Sequence, residues 1–159
     1  MSYNSVFLTL WKTLYPTKEF NLDKGSCVHT LCNSVYLLDS ISGHFSYRFY
    51  MVYNGIYSDE IFSEVRSEVK YRPFSESHFK DEVNSGIKKL KRIIDQRDEK
   101  YSVEDWVAAL AVAHYFKWNI CPSSYDEEQI QREIMGWRWS FSESCALSAL
   151  EVGDILPRL

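Results

Sequence analysis

Between residues 102 and 118 the chain leaves almost no polar face. Val103, Trp106, Val107, Ala108, Ala109, Leu110, Ala111, Val112, Ala113, Tyr115 and Phe116 surround a helix of 3.6 residues per turn. A helix that is apolar on every side is a buried one, so this segment is expected at the centre of the fold. Ser102 serves as its N-cap, and Asp105 places an acid at the positive helix end. The alanines permit close approach of neighbouring helices, and Trp106 and Phe116 fill the remaining space.

The flanking patterns predict a ring of amphipathic helices. Val6, Phe7, Leu10, Trp11 and Leu14 recur at helical spacing until Pro16 stops them. After a polar connection, Val28, Leu31, Val35 and Leu38 form a stripe from about Ser26 that Ser42-Gly43 closes. The period then changes to two: Phe45, Tyr47, Phe49, Met51 and Tyr53 alternate with more polar neighbours, which predicts a half-buried strand ending at Asn54-Gly55. Ser58 caps a short helix carrying Ile61, Phe62 and Val65, and Val69, Tyr71 and Pro73-Phe74 are expected to return as a second strand.

Ser75 is expected to cap a longer helix with a stripe of Phe79, Val83, Ile87, Leu90 and Ile94. Beyond the central helix, Ser124 and Glu127 have capping-box spacing ahead of Ile130 and Ile134, and Gly136 ends that element. Ser142 caps a last helix bearing Leu147, Leu150 and Val152, which Gly153 stops. The prediction is mainly α with a small β insertion near residues 45–74, one domain over residues 1–159, built round a buried helix.

Composition agrees with a packed core. Of the 159 residues, 45% are hydrophobic and 16% aromatic, enough to offset chain entropy and exclude a disordered class. The net charge of −4 supplies no overall attraction to phosphate or anionic lipid. No window approaches the ~18 apolar residues of a membrane span. With no leader pattern in the N-terminal run, Cys27, Cys32, Cys121 and Cys145 are expected as reduced thiols in a cytoplasmic protein.

Candidate chemistry is sparse. Cys27, His29 and Cys32 lack a second ligand pair at zinc spacing and fan over different helix faces, so buried free thiols are the simpler reading and no metal or cofactor is expected. His114 stands on an apolar helix without any nucleophile, metal or phosphate motif, which favours a hydrogen-bonded structural role over catalysis and a non-enzyme overall. Lys88, Lys89, Lys91 and Arg92 form a basic cluster that could meet nucleic acid, although nearby Asp95, Asp98 and Glu99 blunt it. The acids Glu64, Glu68, Asp126, Glu127, Glu128 and Glu133 make a weaker case for phosphate mimicry. Tyr50, Tyr57, Trp137, Arg138 and Trp139 have the residue types that anchor protein interfaces, while core packing alone would explain most aromatics here.

The run Tyr47-Arg48-Phe49-Tyr50-Met51-Val52-Tyr53-Asn54-Gly55-Ile56-Tyr57-Ser58-Asp59-Glu60 resembles a segment of Panacea-type proteins, the SocA-like antitoxin superfamily and the shorter YwgA-like group. That segment reads roughly GY-x-F-x-x-Y-x-Y-G-P-Y-S-x-E-L. The preceding helix at 28–38, the run from Asp105 to Phe116 and the link Trp139-Ser140-Phe141-Ser142 stand where the family has its other motifs, so the resemblance extends from about Val6 to Val152. Ile56 replaces the family's turn proline, and Cys32 or Asn33 stands near the place of a helix lysine. The resemblance implies a helical domain with a β insertion and a non-enzymatic role, since Panacea domains are associated with antitoxins and similar domains occur in phage anti-defence proteins, including some anti-CRISPRs. The expected partner is thus a toxin or a defence-system protein, with nucleic acid at residues 88–92 as the alternative.

Overall fold

The helical stripes and the Asn54-Gly55 turn fold as α1 (Val6–Leu14), α2 (Gly25–Ser42), β1 (Tyr50–Val52), β2 (Gly55–Tyr57), α3 (Asp59–Tyr71), α4 (Asp81–Asp95), α5 (Val103–Tyr115), a π-helical turn (Phe116–Ile120), α6 (Glu127–Met135) and α7 (Glu143–Gly153). A computed structural model describes residues 6–43, 45–71 and 78–153. The fold is mainly α, with one two-stranded antiparallel sheet among the described residues.

Helix α5 is buried on all sides, as its sequence requires: Trp106 and every residue from there to His114 are inaccessible to solvent or nearly so. The Ser102 hydroxyl accepts from the Asp105 amide at 3.1 Å, and the Trp106 indole donates to the Ile93 carbonyl of α4 at 3.2 Å. Helix α7 packs along α5 on one flank and α2 on another, with α6 against α7, α4 against α2, and α1 against α3 and α4. Helix α2 is a second central strut. Beyond its apolar stripe it buries Thr30, Asn33, Ser34, Tyr36, Asp39 and Ser40.

Several expectations are corrected. The period-two segment is a strand only at its end: residues 45–49 alternate in burial but lack a neighbouring strand, and side chains satisfy their backbone instead. Asp39 Oδ1 accepts from the Phe45 amide at 2.7 Å, and Glu60 Oε1 accepts from the Arg48 amide at 3.0 Å. The partner of β1 is β2, immediately after the turn, with Tyr50 opposite Tyr57. Val69 and Tyr71 belong to α3 rather than to a strand, because α3 runs long enough to bury Ile61, Val65 and Glu68; Pro73, Phe74 and Ser75 lie outside the described residues, and α4 starts at Asp81 with Lys80 rather than Ser75 at its N-cap position, which leaves Phe79 ahead of the helix.

The capping box of α6 is formed by Asp126 and Gln129, not by Ser124 and Glu127. Ser142 does cap α7, accepting from the Cys145 amide at 3.2 Å. That register points Cys145, Ala146, Ala149 and Leu150 inward and leaves Leu147 exposed. Glu68, considered above as part of an acidic row, is buried, and its two carboxylate oxygens accept from the Phe7 and Leu8 amides, each at 3.2 Å. A carboxylate there meets unpaired N–H groups and the positive end of the α1 dipole.

The hairpin is fixed from below by one side chain. Asn33 of α2 accepts from the Ile56 amide at 2.7 Å and donates to the Asn54 carbonyl at 3.0 Å. Gly55 has φ 122°, and a Cβ there would stand 2.4 Å from Asn33 Oδ1, so only glycine fits. We expect Asn33→Ala to leave two backbone groups unpaired and cost about 2–4 kcal/mol. Thermal unfolding followed by circular dichroism checks this, with a fall of roughly 10 °C in Tm expected; a fall within about 2 °C refutes the clamp.

Candidate functional site

The hairpin carries the outward-facing aromatics. Tyr50 is 42% exposed and Tyr53, at the turn, is 60% exposed. Cross-strand pairing sets Tyr50 edge-on to Tyr57 with ring centroids 5.8 Å apart, and the Tyr50 hydroxyl donates to Asp59 Oδ1 at 3.0 Å, which holds the ring in place. Tyr57 is half-buried, and its other neighbour is the His29 ring at 5.0 Å. Burial pushes the Tyr57 phenol up to about 12 and lowers the His29 imidazole from its ordinary value, so both are uncharged at neutral pH.

The link between α6 and α7 comes to the same hairpin, where the Ser140 amide donates to the Tyr53 carbonyl at 3.2 Å. In this link Trp137 is 56% exposed and Arg138 is exposed. Trp139 differs in role. It is half-buried, lies parallel to Phe141 at 5.6 Å, and donates its indole N–H to the Ile134 carbonyl at 2.6 Å. The geometry thus divides the five expected anchors: Tyr50, Trp137 and Arg138 are exposed, whereas Tyr57 and Trp139 are half-buried. Tyr53 is an addition. The alternating pattern assigned it to the inward face, and the two-residue turn rotates it outward.

The basic cluster is split by its helix. Lys88 and Arg92, one turn apart, are exposed, while Lys89 and Lys91 are half-buried and Lys91 Nζ donates to the Thr13 carbonyl at 3.3 Å. His114 is 1% exposed, with Nδ1 at 2.8 Å from the Tyr36 hydroxyl, to which Asn119 Nδ2 donates at 3.5 Å. This network joins α2 to α5 and to the π-helical turn, with Tyr36 and His114 buried and Asn119 at its exposed end.

The four cysteines are dispersed, with no disulfide between them. The Cys32 thiol donates to the Ser58 carbonyl at 3.8 Å, and the Cys27 thiol to the Glu19 carbonyl at 3.9 Å. Burial pushes Cys32 and Cys145 each up to about 12, which leaves them protonated and weakly nucleophilic. Among the described residues no three His, Cys, Asp or Glu side chains converge as a metal site. Nor is any helix there long and apolar enough to cross a membrane. In comparisons with known proteins, no family model, curated protein or solved structure matches the chain.

Two outcomes follow from these buried groups. Tyr36→Phe leaves the His114 ring and the Asn119 amide without the hydroxyl between them, with an expected loss of about 1–2 kcal/mol in equilibrium unfolding. The second concerns pH: the Cys32 thiol keeps its proton in the fold up to about 12, whereas the unfolded chain releases it near the ordinary value of 9.0. The contribution of this thiol to stability is therefore fully present below pH 9.0 and is lost as pH rises toward about 12, at about 1.4 kcal/mol per pH unit. Urea unfolding of the native chain and of Cys32→Ala across this window reads the effect as a shallower decline in the variant.

Proposed function

We propose that the protein is a non-enzymatic binding protein that neutralises a partner protein by stoichiometric occlusion, as an antitoxin or a phage anti-defence inhibitor does. The observation that carries this reading is the set of exposed aromatics on a hairpin held rigid from below: Tyr50 and Tyr53, with Trp137 and Arg138 on the adjoining link. Tyrosine, tryptophan and arginine dominate binding energy at interfaces, and a side chain already held in place loses little entropy when it docks. The Panacea-like residues at 47–60 coincide with this hairpin, which supports a toxin or defence-system protein as the partner class.

Native purification of the tagged chain from its own host, read by mass spectrometry and by the balance of nucleic-acid and protein absorbance, tests the proposal. A partner protein in stoichiometric amount is the expected result, and an enzyme activity that persists without one would overturn it. Tyr53→Ala and Trp137→Ala should each weaken capture about 10- to 100-fold while Tm stays within about 2 °C, because neither ring is buried. Tyr57→Ala, by contrast, should lower Tm as well, since its ring packs on Tyr50 and His29.

A second reading, a nucleic-acid-binding regulator, draws on Lys88 and Arg92, which are exposed and one turn apart on α4. It requires co-purifying nucleic acid whose affinity falls steeply with salt, and a reduced salt slope for Lys88→Ala.

A further inference from the structure

The extended run from Phe45 to Val52, FSYRFYMV, contains neither proline nor glycine, and Arg48 is its one charge. Most of its residues are of the aromatic and β-branched kinds that suit strands. Strand edges of this composition are normally guarded by lysine, proline or a bulge, because an open edge recruits another strand. Residues 45–52 hold no lysine or proline, and the pairing of β1 with β2 contains no bulge.

The run is open along one side. β2 rests on α2 and α5, which leaves β1 as the outer strand of the sheet. Along an antiparallel pair, residues alternate between turning their backbone groups toward the neighbouring strand and away from it. Ile56 turns its amide away from β1, to Asn33, so Met51 opposite it turns its N–H and C=O away from β2. Tyr50 faces Tyr57, and the Arg48 amide two residues earlier points to Glu60. The outward groups therefore belong to Tyr47, Phe49 and Met51, and none has a hydrogen-bond partner among the described residues. At Tyr53 the edge is already taken, since the Ser140 amide donates to that carbonyl at 3.2 Å.

This edge is complementary to itself. Antiparallel pairing of two copies about a twofold axis at Phe49 sets Phe49 against its own copy and Tyr47 against Met51, so each outward residue exchanges backbone hydrogen bonds. Only this register uses all three. A centre nearer the turn brings in Tyr53, whose carbonyl is taken, and a centre nearer the other end brings in Phe45, whose amide is held by Asp39.

Both faces fit the same register. Tyr47, Phe49 and Met51 are half-buried against their own core, and a second copy covers the side left open. On the outer face Arg48 comes opposite the partner's Tyr50, in a non-hydrogen-bonded pair where side chains lie closest. The Tyr50 hydroxyl donates to Asp59 at 3.0 Å, so the guanidinium meets a ring and a carboxylate together. Within its own chain Arg48 is exposed and has no ion-pair partner among the described residues.

We propose that the chain forms a twofold dimer through the β1 edge. Two hairpins join as one four-stranded antiparallel sheet, with Arg48 of each chain across from Tyr50 and Asp59 of the other.

Sedimentation equilibrium of the full chain over a concentration series, with amide hydrogen–deuterium exchange at the same concentrations, tests this. A species of two chains is expected to form below about 100 μM. The Tyr47, Phe49 and Met51 amides should exchange more slowly as it forms. Arg48→Glu sets an acid against Asp59 twice per dimer and should raise the dimer Kd about tenfold or more. Adding Asp59→Arg to that variant restores opposite charges and should recover the affinity, and the Tm of each variant reports whether it is folded. A mass of one chain up to about 100 μM overturns the proposal. So does a dimer that folded Arg48→Glu leaves unweakened, or one in which the three amides exchange as they do in the single chain, since either places the contact elsewhere. Protection of those amides by a different protein, with the chain itself remaining single, overturns it as well.

Discussion

The Asn33 side chain is 1% exposed, and an amide so placed must find partners or destabilise the fold. It finds them in the hairpin. The same requirement recurs along α2, and several of its buried polar residues reach different parts of the molecule. Ser34 meets the Tyr15 hydroxyl at 2.6 Å, Tyr36 meets His114, and Asp39 takes the Phe45 amide. Helix α5 contributes apolar surface, which drives burial without choosing a direction. Helix α2 contributes polar groups, each of which is satisfied in only one arrangement of its neighbours. The pairing of a strut that supplies burial with one that supplies register accounts for how a mostly helical chain fixes a hairpin of two three-residue strands so firmly.

This division also explains which parts of the fold were legible in the sequence. The central helix, its Ser102 cap, the stripe of α4 and the Ser142 cap could be read directly, because periodicity and capping are local properties. The depth of α2 could not, since Asn33, Ser34, Asp39 and Ser40 read as polar until their partners are seen. The strand at residues 45–49 failed for a related reason. Alternating burial arises wherever an extended chain lies on a core, and a strand requires a neighbour as well. Asp39 and Glu60 replaced that neighbour, and no local pattern announces such a substitution.

The candidate surface was legible in its residue types and less so in its arrangement. Tyr50 and Trp137 are exposed as interface anchors need to be, yet Tyr57 and Trp139 are half-buried, and Tyr53 emerges only because the turn breaks the alternation. His114, the most conspicuous titratable residue in the sequence, is held in a closed network with Tyr36.

The clamp between Asn33 and β2 makes the hairpin an extension of the core rather than an appendage. Anything that grips the hairpin therefore grips α2, and a ligand that binds only the folded chain stabilises it as a whole in proportion to the logarithm of its concentration over Kd. The Ile56 amide, bonded to Asn33 beneath the outer tyrosines, is the natural reporter of that coupling. Its exchange with solvent deuterium should slow together with that of the central helices, giving a partner that touches only the surface a signature deep in the interior.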